Sequence, residues 1–285
     1  MSRVVYVNGR FRPHRNAMVH VEDRGYQLAD GVYEVCEVRD GRLVDQRRHT
    51  ERLLRSLAEL RIPLPLPLAA LDVVLHETVR RNRVTDGLVY VQVTRGVARR
   101  DHGFPPAGTR PSLVVSARRT DREQNERLAA AGVAVVTLAE TRWARVDIKS
   151  ISLLPNVLAK QAAREQGARE AWFVDRDGYV TEGASSNAWI VTGAGAVVTR
   201  PVGPDILRGI SREVVKDVLA AAGLTFEERP FTVAEALQAR EAFLTAASQI
   251  VMPVVRIDGR PIGGGRPGPV AAALRRSFHA HAELS

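Results

Sequence analysis

A chain of 285 residues is long enough for one large or two medium domains with an ample core. Its single cysteine, Cys36, excludes an internal disulfide and any multi-cysteine metal site. The formal charge of +9 admits a nucleic-acid partner, but the arginines are interleaved with acids, as in Asp121-Arg122-Glu123-Gln124-Asn125-Glu126-Arg127, so the basic field fits anionic small molecules better.

The N-terminus, Met1 to Phe11, carries no apolar core of signal-peptide length. No uninterrupted apolar stretch approaches ~18 residues, so no membrane span is expected and the simplest address is the cytoplasm. Val4 to Val7 run into Asn8-Gly9, and Val32 to Arg39 and Arg42 to Asp45 flank Asp40-Gly41, dipeptides that tolerate the positive φ of tight hairpins. Along Val32 to Arg39, Tyr33, Val35 and Glu37 share one face, because strand side chains alternate. Leu53, Leu54, Leu57 and Leu60 give His49 to Leu60 a helical stripe, and Leu71, Val74, Leu75 and Val79 mark a second helix after the break at Pro63, Pro65 and Pro67. Leu88 to Thr94 and Ser112 to Ala117 read as strands.

The polar segment Arg118 to Arg127 then reads as a link between domains, giving an N-terminal domain over 1–118, a linker over 119–127 and a C-terminal domain over 128–285. Strands are expected at Val133 to Leu138, Ala171 to Val174, Tyr179 to Thr181, Ala188 to Val191, Ala196 to Thr199, Ala242 to Thr245 and Val254 to Ile257. Helices are expected over Leu153 to Gln166, over Ser211 to Ala222, after the capping box Thr232-Val233-Ala234-Glu235, and near Val270 to His279. Many strands joined by short turns suggest a closed or strongly curved sheet with outer helices. The fold class is α+β.

Lys149 draws attention by rarity. Only three lysines, Lys149, Lys160 and Lys216, occur in this arginine-rich chain. Arginine stays protonated, whereas a lysine can supply a nucleophilic amine. Lys149 sits on a loop after a strand and before a helix, where reactive groups often stand. Read alone, it is more often an ordinary loop lysine in water.

Three ordered stretches carry a resemblance: Asp147-Ile148-Lys149-Ser150, then Asn156-Val157-Leu158-Ala159-Lys160-Gln161, then Thr181-Glu182-Gly183-Ala184-Ser185-Ser186-Asn187. They resemble the class IV pyridoxal-phosphate aminotransferases, above all the bacterial D-amino-acid transaminases. The likeness runs from Asp23-Arg24-Gly25-Tyr26 to Ile257-Asp258-Gly259. It implies a two-domain fold-type IV enzyme, with an N-terminal α/β sandwich-like domain and a C-terminal barrel-like sheet, that binds pyridoxal 5'-phosphate. Lys149 would be the amine bonded to the cofactor, and Glu182 the carboxylate at its pyridine nitrogen. Arg52 would bind the phosphate with the helix start at Ile210 and Ser211, whose backbone N–H groups suit an anion. The small-residue turn Thr245-Ala246-Ala247-Ser248 would add a phosphate contact. Similar enzymes carry hydroxyls at its two middle positions; Ala246 and Ala247 leave only backbone donors. Leu207 would pack on the ring, and Ser185 would hydrogen-bond nearby.

Substrate choice would rest on Arg100-Asp101-His102, an Arg-x-His pattern for trapping an α-carboxylate together with Tyr33. Arg95 and Arg99 are rivals for that role. Tyr26, Asp30 and Asn187 lie in matching motifs with no chemical role assigned. The implied substrates are a D-amino acid and a 2-oxo acid, D-alanine and 2-oxoglutarate foremost, in a homodimer. Alternatives within the fold are a branched-chain or (R)-amine transaminase and an aminodeoxychorismate lyase. A basic, non-catalytic binding protein is the alternative from another class.

Overall fold

The computed structural model describes residues 3–285, which divide into two compact units. The first comprises residues up to Asp121 together with Ile148–Ser152 and Glu283–Ser285; the second comprises Arg122–Asp147 and Leu153–Ala282. The chain therefore enters the first unit three times, and its second visit carries Lys149.

In the first unit, strands β1 (Val4–Val7) and β2 (Arg10–Pro13) are followed by a short helix α1 (Arg24–Leu28). Then come β3 (Gly31–Arg39), β4 (Arg42–Leu43), α2 (Gln46–Glu59), α3 (Leu68–Asn82), β5 (Gly87–Thr94) and β6 (Ser112–Arg119). The strands form one antiparallel sheet in the order β2-β1-β6-β5-β3-β4. Asn8 and Asp40 take φ of 46° and 52° in its two tight hairpins, as their turn dipeptides predict. Val32, Cys36 and Val38 from β3 share a core with Leu53 and Leu57 of α2 and Leu71, Val74, Leu75 and Val79 of α3.

The buried stripe of α2 differs from a pure leucine pattern. Its inward residues are His49, Arg52, Leu53, Ser56 and Leu57, while Leu54 and Leu60 are only half-buried. The spacing is that of an amphipathic helix, but three of its five buried positions are polar. Each of them has a partner in the site.

The second unit holds α4 (Arg122–Ala131), β7 (Val133–Ala139), α5 (Leu154–Glu165), β8 (Glu170–Val174), β9 (Val180–Gly183), β10 (Asn187–Val191), β11 (Val197–Thr199) and α6 (Ile210–Ala221). It continues through β12 (Phe226–Glu228), α7 (Val233–Gln238), β13 (Glu241–Ala246), β14 (Ile250–Ile257), β15 (Arg260–Pro261) and α8 (Pro269–His281). The sheet order is β12-β11-β10-β13-β14-β7-β8-β9, with β15 beside β14. β9 also packs against β10, so the sheet curls back on itself. Trp189, Phe243 and Val251 on one side of it bury against Val214, Val215 and Val218 of α6 and Leu274 and Phe278 of α8.

Two segments depart from the sequence reading. The polar stretch taken as a linker is instead the end of β6 and most of α4. That helix is tied down by Asn125, which donates to the Ser248 carbonyl, and by Glu126, which pairs with Arg275. Met252-Pro253 lies inside β14. Pairing of β14 with β7 begins only at Val254, so a residue without an N–H forfeits no bond on that side. The N-cap half of the capping box forms, with the Thr232 hydroxyl accepting from Glu235 N–H at 3.1 Å, while the Glu235 carboxylate pairs with Arg229 instead of returning to Thr232.

β7 and β8 are parallel neighbours, and such strands need a long crossover. Residues 140–169 provide it, and the passage through Ile148–Ser152 is made on the way to α5. In the first unit this passage joins the free flank of β3: Tyr33 N–H donates to Lys149 C=O at 2.9 Å, and Ile151 N–H donates to Gly31 C=O at 3.1 Å. A Cβ on Gly31 would stand 2.7 Å from the Val93 carbonyl oxygen and 3.1 Å from Ile151 Cδ1. Gly31→Ala should therefore prise apart β3, β5 and the lysine segment and cost about 1–3 kcal/mol, the usual range for overpacking. Thermal unfolding measures it, and an unchanged melting temperature would show that this close approach is not required.

Candidate active site

The first unit gathers Lys149, Tyr33 and Arg52 around β3 and α2. Lys149 is half-buried, and its N–H donates to Ser56 Oγ at 3.2 Å. Its Nζ lies 4.3 Å from the centre of the Tyr33 ring. Among the described residues of its own unit, Nζ has no hydrogen-bond or ion-pair partner. The other two lysines are engaged: Lys160 donates to Arg169 C=O and pairs with Glu170, and Lys216 pairs with Glu228. The amine singled out by rarity is thus also the one whose own unit leaves it without an anion. Tyr33 stacks on Tyr90, ring centres 5.7 Å apart, and burial followed by the neighbouring Tyr33 pushes the Tyr90 hydroxyl up to about 12.

Alternation along β3 turns Glu34 to the opposite, buried face. A carboxylate there is costly unless paired. Arg52 supplies the pair, donating from Nε to Oε1 at 2.7 Å and from Nη2 to Oε2 at 2.8 Å, and His49 Nδ1 adds a contact to Oε2 at 2.7 Å. Arg52 is 9% exposed. It is therefore not the solvated helix charge that an arginine in an amphipathic pattern usually is. Glu34 orients it, and the sequence reading missed Glu34 and His49. The alternation of β3 could have flagged Glu34 as a charge on a core face.

The second unit organises Glu182, at the end of β9. Its Oε1 accepts from Arg142 Nη1 at 2.5 Å, and its Oε2 accepts from Asn187 Nδ2 and from Leu207 N–H, each at 3.0 Å. Arg142 is held in turn by two hydrogen bonds to the Glu140 carboxylate, and its guanidinium carbon lies 4.5 Å from the centre of the Phe173 ring. Burial alone would lower the Arg142 pKa, but the Glu140 hydrogen bonds and the charges of Glu182 and Glu140 outweigh it and keep the guanidinium charged. Asn187 Nδ2 also donates to Leu207 C=O at 2.9 Å, so Glu182 and Asn187 grip both ends of the Leu207 main chain. A Cβ at Gly209 would collide with Asn187 Oδ1, which explains a glycine at the N-cap of α6. No side chain caps this helix, which leaves the first-turn N–H groups of Ile210 and Ser211 without a side-chain acceptor. Ser185 is exposed and its hydroxyl donates to Glu170 at 2.7 Å. Ala246 is the last paired residue of β13, and Ala247 opens the turn before Ile250.

Arg100 and His102 are exposed on the loop between β5 and β6. Arg95, a rival by sequence, is committed elsewhere. It is buried, doubly bonded to Asp30, and donates to the Leu60 and Arg61 carbonyls. Arg99 is exposed.

The curled sheet with its outer helices is the fold of the fold-type IV aminotransferases. The family described as amino-transferase class IV matches residues 31–257. A D-alanine aminotransferase of Staphylococcus haemolyticus is 39% identical over 279 residues, covering 98% of each chain. One from Bacillus licheniformis is 42% identical over 281 residues, covering 96% of each. The solved branched-chain aminotransferase of Thermoproteus uzoniensis, with norvaline, is similar at a TM-score of 0.86 and 26% identity, over 100% of this chain and 99% of that one. The chain belongs to the class IV aminotransferases.

The buried Glu34 group gives this assembly a pH signature. Burial alone would raise the Glu34 carboxyl, but Arg52 and then His49 hold it well below the usual range of 4.5. Burial lowers His49 from 6.5 despite Glu34. Both folded values are depressed, so the unfolded chain binds protons first. Their stabilisation is complete above those ordinary values and is lost as pH falls, from 6.5 downward for His49 and from 4.5 downward for Glu34. Glu34→Gln should remove the more acidic part of this dependence. It should also cost about 3–5 kcal/mol at neutral pH, because Arg52 is left buried without its anion. Unfolding of both proteins across neutral to acid pH tests this, and equal stability at neutral pH would contradict it.

Proposed function

We propose that the protein transfers the amino group of D-amino acids to 2-oxo acids with pyridoxal 5'-phosphate, converting D-alanine and 2-oxoglutarate to pyruvate and D-glutamate. The observation that carries this reading is Lys149: a scarce residue type in an arginine-rich chain, with no anionic partner in its own unit. When bound, the cofactor supplies an aldehyde that accepts an amine and a ring that draws off electrons.

The residues fit such a group. Lys149 Nζ would hold it and, once freed by substrate, would take the α-proton and return it. Glu182 would accept the pyridine N–H. Its carboxylate is held in one orientation by Arg142, Asn187 and Leu207 N–H, and an acid fixed in advance needs no rearrangement as charge develops. The phosphate would be met by Arg52, aimed by Glu34, and by the N–H groups of Ile210 and Ser211 at a helix start that favours anions. Ala246 and Ala247 would add backbone donors only. Leu207 would cover the ring, and Ser185 would remain an acceptor nearby. Tyr33, Arg100 and His102 would hold the α-carboxylate, the arginine through paired N–H bonds. With Arg95 bound to Asp30, Arg100 is the better candidate for that role.

A second reading, a branched-chain transaminase, draws on the likeness to the Thermoproteus uzoniensis enzyme. The Arg-x-His pattern and the relatives named D-alanine aminotransferase at 39% and 42% identity favour the D-amino-acid reading. An assay panel of D-alanine, L-leucine and (R)-1-phenylethylamine, each with 2-oxoglutarate, separates the readings. D-alanine should be the preferred donor, and Arg100→Ala should raise KM for D-alanine far more than for the amine. Preference for L-leucine or the amine would overturn the assignment, and pyruvate release without an acceptor would point to a lyase.

We further propose a homodimer. Leu154, Val157 and Leu158 of α5 are 69%, 58% and 63% exposed, an apolar helix face of the kind that association covers. Among the described residues no helix is long and apolar enough to cross a membrane. Light scattering should give about twice the chain mass of 31.3 kDa; a single-chain mass would remove this proposal.

A further inference from the structure

The loop between β5 and β6 leaves the core at Gly96 and returns at Ser112, and most of it is exposed. Most of the hydrogen bonds within it are local, such as Gly103 N–H to Asp101 Oδ1 and the Thr109 hydroxyl to Pro106 C=O. Backbone bonds tie its start to the segment before α1, Arg24 N–H to Gly96 C=O at 2.9 Å and Ala98 N–H to Glu22 C=O at 3.3 Å, and two further contacts hold its middle. Arg24, 3% exposed, donates from Nη1 to the main-chain carbonyl of Asp101 at 2.7 Å. Three residues further on, Phe104 lies against two guanidinium groups: the Arg95 carbon is 3.8 Å from its ring centre and the Arg61 carbon 4.6 Å.

Both contacts lead back to one carboxylate. Arg24 Nε donates to Asp30 Oδ2 at 2.8 Å, and Arg95 donates to both oxygens of Asp30 at 2.7 and 2.9 Å. Arg95 also donates to the carbonyls of Leu60 and Arg61, so the cluster is bolted to the end of α2. Burial alone would raise the Asp30 carboxyl, but Arg95 and then Arg24 hold it below its ordinary value. Asp30 therefore remains the anion that both cations need. Burying two arginines around one aspartate is costly, and an exposed loop gains little stability from it. What the arrangement does secure is the peptide plane between Asp101 and His102. Fixing that plane limits where the side chains of its neighbours, Arg100 and His102, can project.

We propose that Arg24, oriented by Asp30, is a positioning residue for substrate, pinning the Asp101 carbonyl so that Arg100 and His102 meet the α-carboxylate in register, with Phe104 on Arg95 and Arg61 as the second anchor. This rests on the carboxylate-binding reading of Arg100 and His102. It gives roles to Arg24 and Asp30, and to a phenylalanine that is otherwise an exposed apolar side chain, 54% accessible. The anchors act on grip rather than on proton transfer, so their loss should appear in KM. Small misplacements of positioning groups are known to carry large rate penalties.

The test uses the holoenzyme and three variants, with KM and kcat measured for D-alanine and 2-oxoglutarate and the visible cofactor spectrum recorded for each. Arg24→Lys keeps the charge but loses the fork that bridges Asp30 and Asp101. Phe104→Ala removes an exposed ring and leaves the core intact. Both should raise KM for D-alanine by about tenfold or more, with kcat within about threefold and an unaltered spectrum. Arg100→Ala serves as the control. If it raises KM while Arg24→Lys and Phe104→Ala do not, the positioning role is wrong and the carboxylate reading stands. If Arg100→Ala leaves KM unmoved, the carboxylate reading falls and takes the positioning role with it. A loss of kcat and of the cofactor spectrum together, at constant KM, also overturns the proposal, because it marks a general structural defect. Should Arg24→Lys fail to fold, Phe104→Ala decides alone.

Discussion

The place of Lys149 in the first unit depends on a short backbone pairing: Tyr33 N–H to Lys149 C=O and Ile151 N–H to Gly31 C=O. A passage of only five residues, Ile148–Ser152, is thereby tied to the flank of β3 through one isolated bridge, Val32 to Ser150, rather than left as a free loop. Its apolar anchor, Ile148, is buried with the core of that unit. The consequence for chemistry is direct. Lys149 projects from paired backbone, beside the Tyr33 ring and braced through its N–H by Ser56. A side chain on a loop pinned to a strand is held more closely than one on a free loop.

Around this pairing the chain uses arginine in an uncommon way for a surface-rich residue. Arg24, Arg52, Arg95 and Arg212 are all buried, and each forms an ion pair with a carboxylate. Arg142 holds Glu182 in the same manner. Ion pairs of this kind contribute little net stability against apolar packing, yet they fix direction, because the guanidinium fork presents several donors in one plane. The 41 basic residues of the chain are thus in part an internal scaffold of oriented cations paired with carboxylates, and only in part an external field.

Much of the fold was legible in the sequence. The hairpins at Asn8-Gly9 and Asp40-Gly41, the stripe of α3 and the cap of α7 follow from local chemistry, and the structure has all of them. The strand-rich second half read as a curved sheet because short strands and short turns leave few other arrangements. Differences arise where tertiary contacts overrule composition: the polar stretch Arg118 to Arg127 runs into a helix, Arg122–Ala131, docked by Asn125 and Glu126, and Pro253 sits within a strand. In the candidate site, rarity singles out Lys149 and a motif singles out Glu182. Their supporting residues are not singled out. Glu34 and Arg52 lie 18 residues apart and Arg142 and Glu182 lie 40 apart, and no local pattern announces a pair at such distances. The commitment of Arg95 to Asp30 was likewise hidden, because those residues lie 65 apart.

Because only three lysines exist in the chain, covalent attachment of the cofactor can be located without ambiguity. The holoenzyme should be reduced with borohydride, digested and mapped for the pyridoxyl label. Label on the peptide containing Lys149, and on neither Lys160 nor Lys216, is the expected result. Label on one of those two, or a chain that takes up none, would contradict the central assignment.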